Sequence, residues 1–338
     1  MNALPDFWIT TVRRLAPPEF GGGISHVVSD AVVRADWVVP KSPEIDEAAN
    51  PRGGVRGARG IARLDDDHII VASYHSLLIY NSESQLVDRH THPLMSGIHA
   101  IARDGSLVWV TSTSIDVLLG YNLETREVEE VFDLTALASV RQLGVVPRGL
   151  DLTADYRADP TVVRGDSTHL NSVLKLDDAL YVLLNRFGVI IDVRADRVVA
   201  RHDLLRGGHD LVYIPERDQI AVNDTVSQSI LLFDRQTFSL VDRIKIARLK
   251  GAPWWLTTEK AKLLCQKVVS RLFRIRVNAS PLFMRGLAYE NGRIYSGTSP
   301  AAVFVTCLDT RQIVGQHRFS RKTTDTIYGI LPAGGPRA

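Results

Sequence analysis

Cysteine, net charge and long apolar runs are all scarce in this sequence, and each scarcity excludes a class of protein. Cys265 and Cys307 are too few for a disulfide framework, and both lie in apolar stretches typical of buried free thiols. The formal net charge is +2, which gives no support for a nucleic-acid-binding surface. No segment approaches the roughly 20 apolar residues that a membrane-spanning helix needs.

The beginning of the sequence also lacks a targeting pattern. Residues 1–14 contain polar and acidic side chains and no unbroken apolar stretch, so they do not resemble a signal peptide. We therefore expect a cytoplasmic protein with no nucleic-acid and no membrane partner. Hydrophobic residues make up 45% of the chain, which is enough to bury a large core.

A short phrase recurs along the chain. It consists of a polar residue followed by small and apolar ones, and its copies begin at Arg59, His99, Asn171, His209 and Arg285. Each copy leads through a turn rich in Asp, Asn or Gly into a second apolar strand, and then into two more. A repeat of about 40 residues made of short strands is typical of a β-propeller.

Two of the gaps between copies are close to one period and two are close to twice that. The gap after His209 predicts a degenerate copy that begins at Trp254. The gap after His99 instead contains a segment rich in Arg, Asp, Gly and Pro, at about residues 135–168. We interpret this segment as a long insertion that covers one mouth of the channel, because loops of such length are usually functional or disordered.

These patterns predict an all-β fold: a single β-propeller of six blades, with five or seven as alternatives. An apolar strand at residues 327–331 is expected to pair with N-terminal strands at residues 25–40. That pairing closes the ring and removes an open sheet edge. We expect residues 1–58 to form an N-terminal arm with the closing strands, its first ~20 residues irregular, and residues 59–338 to form the propeller.

One position of the phrase is polar or aromatic in every copy, while its neighbours are apolar. A position of this kind is expected to face the central channel, where a side chain meets water or a ligand. His169 precedes Asn171 by two residues and is expected on the same face of its strand. The aligned column consists of Arg59, His99, Asn171, His209, Trp254 and Arg285.

The histidines suggest a metal site. His99, His169 and His209 belong to successive copies, and imidazole is a ligand for several divalent metals, with Asn171 as a further oxygen donor. We therefore expect one divalent metal ion of unknown identity as cofactor. The alternative is a wet channel in which these rings hydrogen-bond to water and backbone, because no local metal-binding motif is present.

The arginines of the column suggest an anionic ligand. Arg59 and Arg285 would favour a carboxylate, a phosphate or an acidic sugar, unless they pair with acids of the protein instead. A second set of polar side chains follows the second strand of the copies, at the expected mouth of the channel. We take Tyr74, Asn223 and Asp224 from this set as ligand contacts, with turn formation by Asn and Asp as the alternative.

Three segments occur in an order that resembles an uncharacterised family of bacterial β-propellers. They are His169-Leu170-Asn171-Ser172, His209-Asp210 and Arg285-Gly286-Leu287-Ala288. The resemblance covers roughly residues 59–320 and extends to the group of gluconolactonase-like and strictosidine-synthase-like enzymes and streptogramin lyases.

This resemblance implies a metal-dependent enzyme. In the lactonase-like enzymes Glu, Asn and Asp hold a divalent cation, and Asn171 and Asn223 would match two of those positions, whereas the Glu has no counterpart. The lyases use a channel histidine with a divalent ion, which His169 or His209 would imitate.

We therefore expect a small-molecule enzyme with its active site in the channel. It would be a metal-assisted hydrolase or lyase that acts on an anionic or carbonyl-containing metabolite. A bound cation would polarise a carbonyl or activate water, and His169 and His209 would move the proton. The alternative is a non-catalytic propeller that serves as a ligand-binding or protein-interaction scaffold, because the fold alone does not choose between them.

Overall fold

The computed structural model describes residues 5–14, 16, 21–28, 31–38 (backbone only), 57–157, 166–256, 272 and 284–334. Within them the chain forms six antiparallel sheets of four strands each. No helix in this part of the chain is long and apolar enough to cross a membrane.

The strands fall into consecutive groups along the chain. Three N-terminal strands are β1 (Phe7–Arg13), β2 (Gly23–Val28) and β3 (Ala31–Val38). Blade 2 contains β4 (Ile61–Arg63), β5 (His68–Ala72), β6 (Leu77–Asn81) and β7 (Leu86–His90). Blade 3 contains β8 (Ile98–Asp104), β9 (Leu107–Ser112), β10 (Val117–Asn122) and β11 (Val128–Asp133).

The second half of the chain repeats this order. Blade 4 contains β12 (Leu170–Leu176), β13 (Ala179–Leu184), β14 (Val189–Asp192) and β15 (Arg197–Arg201). Blade 5 contains β16 (Gly208–Ile214), β17 (Gln219–Asp224), β18 (Ser229–Asp234) and β19 (Leu240–Lys245). Blade 6 contains β20 (Met284–Glu290), β21 (Arg293–Thr298), β22 (Ala302–Cys307) and β23 (Gln312–Arg318), and β24 (Asp325–Pro332) follows.

Blade 1 joins the two ends of the chain, as the sequence predicts, but the C-terminal strand pairs with β1 and not with the expected strands at residues 25–40. The C-terminal strand β24 is innermost and pairs with β1, with Ile9 opposite Ile330, and β1 leads outward to β2 and β3. The expectation that the first ~20 residues are irregular is wrong, because Phe7–Arg13 form a strand. Its apolar start, Phe7 and Ile9, is buried against blade 6 and β24.

The six innermost strands form a closed ring. In order, β4, β8, β12, β16, β20 and β24 each contact the next, and β24 contacts β4. The prediction of a six-bladed propeller is therefore confirmed. However, the blade that brings the number to six is blade 1, which joins the chain ends, and not a copy that begins at Trp254. Because β16 contacts β20 directly, no blade begins at Trp254 between them, and residues 254–256 form a helical turn. The rest of that predicted copy lies outside the described residues.

Burial explains the apolar runs of the repeat. The middle strands of a blade are covered on both faces by the neighbouring blades, so Ile70, Val71 and Ala72 of β5 are all fully buried. The outermost strands keep exposed apolar residues, such as Leu86 and Val87 of β7. Fully burying a side chain of this size contributes about 1.5–3 kcal/mol, so the faces between blades hold the ring together.

The insertion after blade 3 contains one short helix, α1 (Ala138–Arg141), and residues 142–157 of it form no strand. The carboxylate of Asp196 in blade 4 accepts hydrogen bonds from the backbone N–H groups of Ala138 and Ser139. Further along, Tyr156 is buried in the apolar cluster between blades 2 and 3 and donates its N–H to Pro93. The insertion therefore bridges blades 2 and 4.

Candidate ligand site in the channel

A β-bulge places the column residues in the channel. The pairing of the innermost strand shifts by at least one residue at Tyr328, His99, Asn171, Asp210 and Arg285, in five different blades. A bulge leaves an extra residue without a cross-strand partner and re-aims its side chain. The repeated phrase therefore encodes a bulge, and this explains why one of its positions is polar.

Two arginines flank the ring of Tyr328. The guanidinium carbon of Arg59 lies 5.6 Å from the ring centre and that of Arg285 lies 5.0 Å from it. Arg59 also lies 4.9 Å from the ring of Tyr74, so the aromatic faces stabilise its charge through cation–π contacts. Two guanidinium groups, one from blade 2 and one from blade 6, therefore lie next to a single tyrosine of blade 1.

Arg59 is buried with no counter-charge among the described residues. The residue is only 6% exposed, and its Nη1 donates a hydrogen bond to the carbonyl of Ile98 at 2.7 Å. Among the described residues no carboxylate pairs with Arg59, and its buried Nε has no hydrogen-bond partner. The neighbouring cations add to this field: burial and then the charge of Arg285 lower the pKa of Arg14 to about 10. An anion would compensate this charge.

An amide links two histidines across blades 3, 4 and 5. Nδ1 of His99 donates to Oδ1 of Asn171 at 2.9 Å, and Nδ2 of Asn171 lies 3.3 Å from Nε2 of His209 and 3.1 Å from the carbonyl of Gly208. On the other side, Nδ1 of His209 lies 3.2 Å from the carbonyl of Gly207, which can only accept. These partners assign the Nδ1–H tautomer to both rings.

The two histidines are neutral at physiological pH. Burial lowers the pKa of His99 well below its ordinary value, and the charges of Arg59, His169 and Arg285 lower it further. Burial and the charge of Arg285 lower the pKa of His209 in the same way. Since both nitrogens of His209 are engaged, its ring is held as a fixed donor and acceptor.

His169 has a different environment. Its Nδ1 lies 2.7 Å from Oδ2 of Asp166, and its side chain is 30% exposed, so Nε2 is available to a ligand. Although burial would raise the pKa of Asp166, the hydrogen bond from His169 and the charges of His169 and Arg186 lower it, so this carboxylate is ionised. The ring of His169 meets that of His99 edge to face, with centres 5.4 Å apart.

The segment that presents this pair is tied down from behind. The fully buried carboxylate of Asp116 accepts from the N–H of Ser167 (2.7 Å) and from the N–H (2.8 Å) and hydroxyl (2.6 Å) of Thr168. His169 then takes the left-handed conformation, with φ 53°, which is uncommon for a residue with a side chain and is often found at functional sites. Asp116 therefore fixes the position of His169.

A buried carboxyl lies on the next bulge. Oδ2 of Asp210 accepts from the N–H of Gly286 at 2.9 Å and from Nδ2 of Asn223 at 3.3 Å, and thus links blades 5 and 6. Burial raises the pKa of Asp210 to about 7, against the opposing effects of these hydrogen bonds and of Arg285. Asn223 itself is fully buried, so its contacts are with Asp210 and the carbonyl of Gly286.

The structure brings most of the predicted column together. The ring of His99 contacts that of His169 and lies 5.8 Å from the ring of Tyr328, perpendicular to it. Arg59 and Arg285 each contact the ring of Tyr328. Tyr74 joins them through Arg59, and Asn171 and His209 through His99.

Two predicted contacts lie elsewhere. Trp254 is 77% exposed on its helical turn, outside the innermost strands, so the expectation that it faces the channel is wrong. The carboxylate of Asp224 is bound within blade 5, by Arg243 at 3.2 Å and by the hydroxyl of Ser227. Neither residue shares the contacts of the column.

Sequence reasoning missed Tyr328, Asp166 and Asp116. The segment Tyr328-Gly329-Ile330 does match the phrase, since Arg59-Gly60-Ile61 has the same order of polar, glycine and apolar residues, and this signal could have found Tyr328. The two aspartates have no repeated counterpart that an alignment would show.

The predicted metal site is not assembled by the described residues. No three His, Cys, Asp or Glu side chains in this part of the chain are grouped to hold a metal ion. The rings of His99 and His169 have centres 5.4 Å apart, and Asp166 lies behind His169. The facing nitrogens of His99 and His209 are instead engaged by Asn171.

Comparisons with known proteins support the fold. No protein-family model matches the sequence, and no curated protein matches it. A protein of unknown function from Bacteroides caccae has a similar structure, with 11% identity and a TM-score of 0.55 over 97% of this chain and 98% of that one. Its likeness shows the β-propeller fold alone.

Two further solved structures are less similar. The computationally designed Ika8 protein has 10% identity and a TM-score of 0.40 over 77% of this chain and 61% of its own. A chain of the Mitotic Checkpoint Complex has 11% identity and a TM-score of 0.43 over 84% of this chain and 68% of its own.

Proposed function

We propose that the polar end of the channel is the active site of a hydrolase or lyase that acts on a small organic anion. The observation that carries the proposal is Arg59, a buried guanidinium that no described carboxylate neutralises. Burying a charge is costly unless a partner compensates it, so such a site favours an anionic ligand.

The ligand's anionic group would lie beside Arg59 and Arg285. Guanidinium groups bind carboxylate and phosphate oxygens through charge-assisted hydrogen bonds, which are about twice as strong as neutral ones. The ring of Tyr328 contacts both guanidinium groups and stabilises their charge through cation–π contacts. The buried Nε of Arg59 would gain an acceptor on binding.

His169 would move the proton. Its Nδ1–H is held by the ionised Asp166, so Nε2 carries the lone pair that can take a proton from water or from a carbon next to a carboxylate. General base catalysis of this kind contributes about 10²–10⁴ in rate. His209, an expected catalytic residue, is assigned the role of orienting Asn171 instead, since both of its nitrogens are engaged.

Two reactions share this proton transfer. In the hydrolase, water loses a proton to His169 and attacks a carbonyl, and the proton then returns to the leaving oxygen. In the lyase, His169 takes a proton from carbon, the electron pair forms a double bond, and the leaving group departs from the neighbouring carbon. In either case neutral His99, whose Nδ1–H is donated to Asn171, would accept a hydrogen bond from the substrate at Nε2 without adding charge.

A metal-assisted form of the reaction is suggested by the resemblance to the lactonase-like and lyase-like group. A divalent cation, if bound, would be held by His99 and His169 and would polarise a carbonyl or activate water. The described residues add no third ligand, and the charges of Arg59 and Arg285 disfavour a second cation nearby. Elemental analysis of the protein and of a His99→Ala/His169→Ala variant tests this form.

The main test is a binding screen followed by turnover. Small carboxylates and phosphates are screened by thermal shift, and the hits are followed by product analysis with the natural protein, Arg59→Gln and His169→Gln. We expect Arg59→Gln to weaken binding at least tenfold and His169→Gln to retain binding but lose turnover.

Arg63→Gln is the matched control. Arg63 lies on β4, four residues after Arg59, but its guanidinium binds the carbonyls of Pro332 and Ala333 away from the column. Anions that bind equally well to the natural protein and Arg59→Gln would overturn the site. Binding without turnover of any hit would instead support the non-catalytic scaffold.

A further inference from the structure

A cavity in the channel indicates which class of substrate the proposed site would accept. A cavity of about 260 Å³ begins at His99 and Tyr328 and continues along the innermost strands. Its apolar lining comes from all six blades: Ile61, Ile101, Val173, Leu211, Leu287 and Ile330. The cavity therefore adjoins the arginine site at one end and presents an apolar side chain from every blade, together with the polar residues Ser172, Asp210 and Tyr213.

The volume suits a small molecule. A cavity of about 150 Å³ is enough to hold benzene, and one water molecule occupies about 30 Å³ of liquid, so this cavity has room for a chain of about six carbon atoms. Asp210, which also lines it, is hydrogen-bonded to Gly286 and Asn223 in the wall.

We infer that the ligand is an amphipathic acid, whose anionic head lies beside Arg59 and whose apolar chain of about six carbons fills this cavity. The inference rests on the proposed function, because it uses the same anion site. It adds that affinity comes from the chain as well as from the charge, and it distinguishes such acids from sugar acids and inorganic phosphate.

A homologous series tests the chain. The dissociation constants of the straight-chain carboxylates from acetate to octanoate are measured by calorimetry with the full-length protein. Burying one methylene corresponds to about a fourfold gain in affinity, so we expect the dissociation constant to fall by about that factor per carbon until the cavity is full.

Two substitutions by phenylalanine locate the chain. Val212 lines the cavity, whereas Val241 is half-exposed on the outermost strand of the same blade. We expect Val212→Phe to bind acetate as tightly as the natural protein does. In this variant the affinity should stop rising at a shorter acid than in the natural protein. Val241→Phe, the matched control, should reproduce the natural series.

The outcomes separate the two proposals. Carboxylates that bind with an affinity independent of length, and that Arg59→Gln no longer binds, would overturn the amphipathic ligand and leave the anion site intact. A series that Val212→Phe does not shorten would also overturn it. If no carboxylate of any length binds, or if Arg59→Gln binds them all equally well, the anion site itself fails.

Discussion

The carboxylate of Asp166 lies 2.7 Å from Nδ1 of His169, three residues further along the chain. The acid precedes the innermost strand of blade 4 and the histidine stands at its start, so a turn of the insertion and a strand of the ring together make the pair. An ionised acid in this position fixes the tautomer of the imidazole and leaves Nε2 as its basic atom.

The first prediction concerns this tautomer. Asp166→Asn should keep the fold, but the amide no longer requires a proton on Nδ1, so His169 should populate both neutral tautomers. Nitrogen chemical shifts of the histidine rings measure this directly, and turnover of any identified substrate should fall by at least tenfold. A ring of His169 that stays in the Nδ1–H form would show that Asp166 does not orient it.

A second prediction follows from the charge of Arg59. This charge lowers the pKa of His99, so Arg59→Gln should raise that pKa toward its ordinary value. An NMR titration of the histidine ring protons measures the change. Arg63→Gln should leave the titration of His99 unaltered, and an equal response to both variants would contradict a specific effect of Arg59.

A third prediction concerns Asp116. Its two oxygens accept three hydrogen bonds from Ser167 and Thr168, and an asparagine would present an N–H₂ group to one of these donors. A buried donor left without an acceptor costs about 1–3 kcal/mol, so Asp116→Asn should lower the free energy of unfolding by about that amount. Urea denaturation measures it.

The control for this change is Asp309→Asn. Asp309 forms an exposed ion pair with Arg217, and exposed ion pairs contribute little. If Asp116→Asn unfolds at the same urea concentration as Asp309→Asn, then Asp116 does not secure the segment that carries His169.

A fourth prediction concerns pH. The pKa of Asp210 is raised to about 7 in the folded protein, so between about pH 4 and 7 the folded state binds more protons than the unfolded state. The free energy of unfolding therefore falls as the pH rises through this window. Asp210→Asn should lack this fall, so the natural protein should lose more stability than the variant between pH 5 and pH 8.

Urea denaturation at the two pH values measures the difference, since the other titrating groups are the same in both proteins. Asp203→Asn, at a side chain 98% exposed, should follow the natural protein. Parallel pH profiles for the natural protein and Asp210→Asn would contradict the raised pKa.

The sequence predicted the ring and most of the column because both are repeated. Five column residues occupy corresponding places in the copies: Arg59, His99, Asn171, His209 and Arg285. Four of them lie at or beside a bulge of the innermost strand, and Arg59 lies just before the innermost strand of blade 2. Repetition allowed one alignment to reveal both the architecture and the channel-facing position.

The errors occur where repetition fails. Tyr328 belongs to a copy whose other strands lie at the opposite end of the chain, so the spacing of the repeats does not identify it. The spacing instead predicts Trp254 as the sixth member of the column, which is wrong. Asp116 and Asp166 act through contacts across the insertion and blade 3, which depend on the path of a loop rather than on a period.

The arrangement of blade 1 also has a consequence for biosynthesis. Tyr328, which the two arginines flank, belongs to β24, which follows the five other innermost strands along the sequence. A nascent chain therefore contains blades 2 to 6 and both arginines before Tyr328 completes the ring. Since a ligand that binds only the closed ring stabilises it by mass action, the cellular supply of that ligand would set how much newly made protein escapes proteolysis.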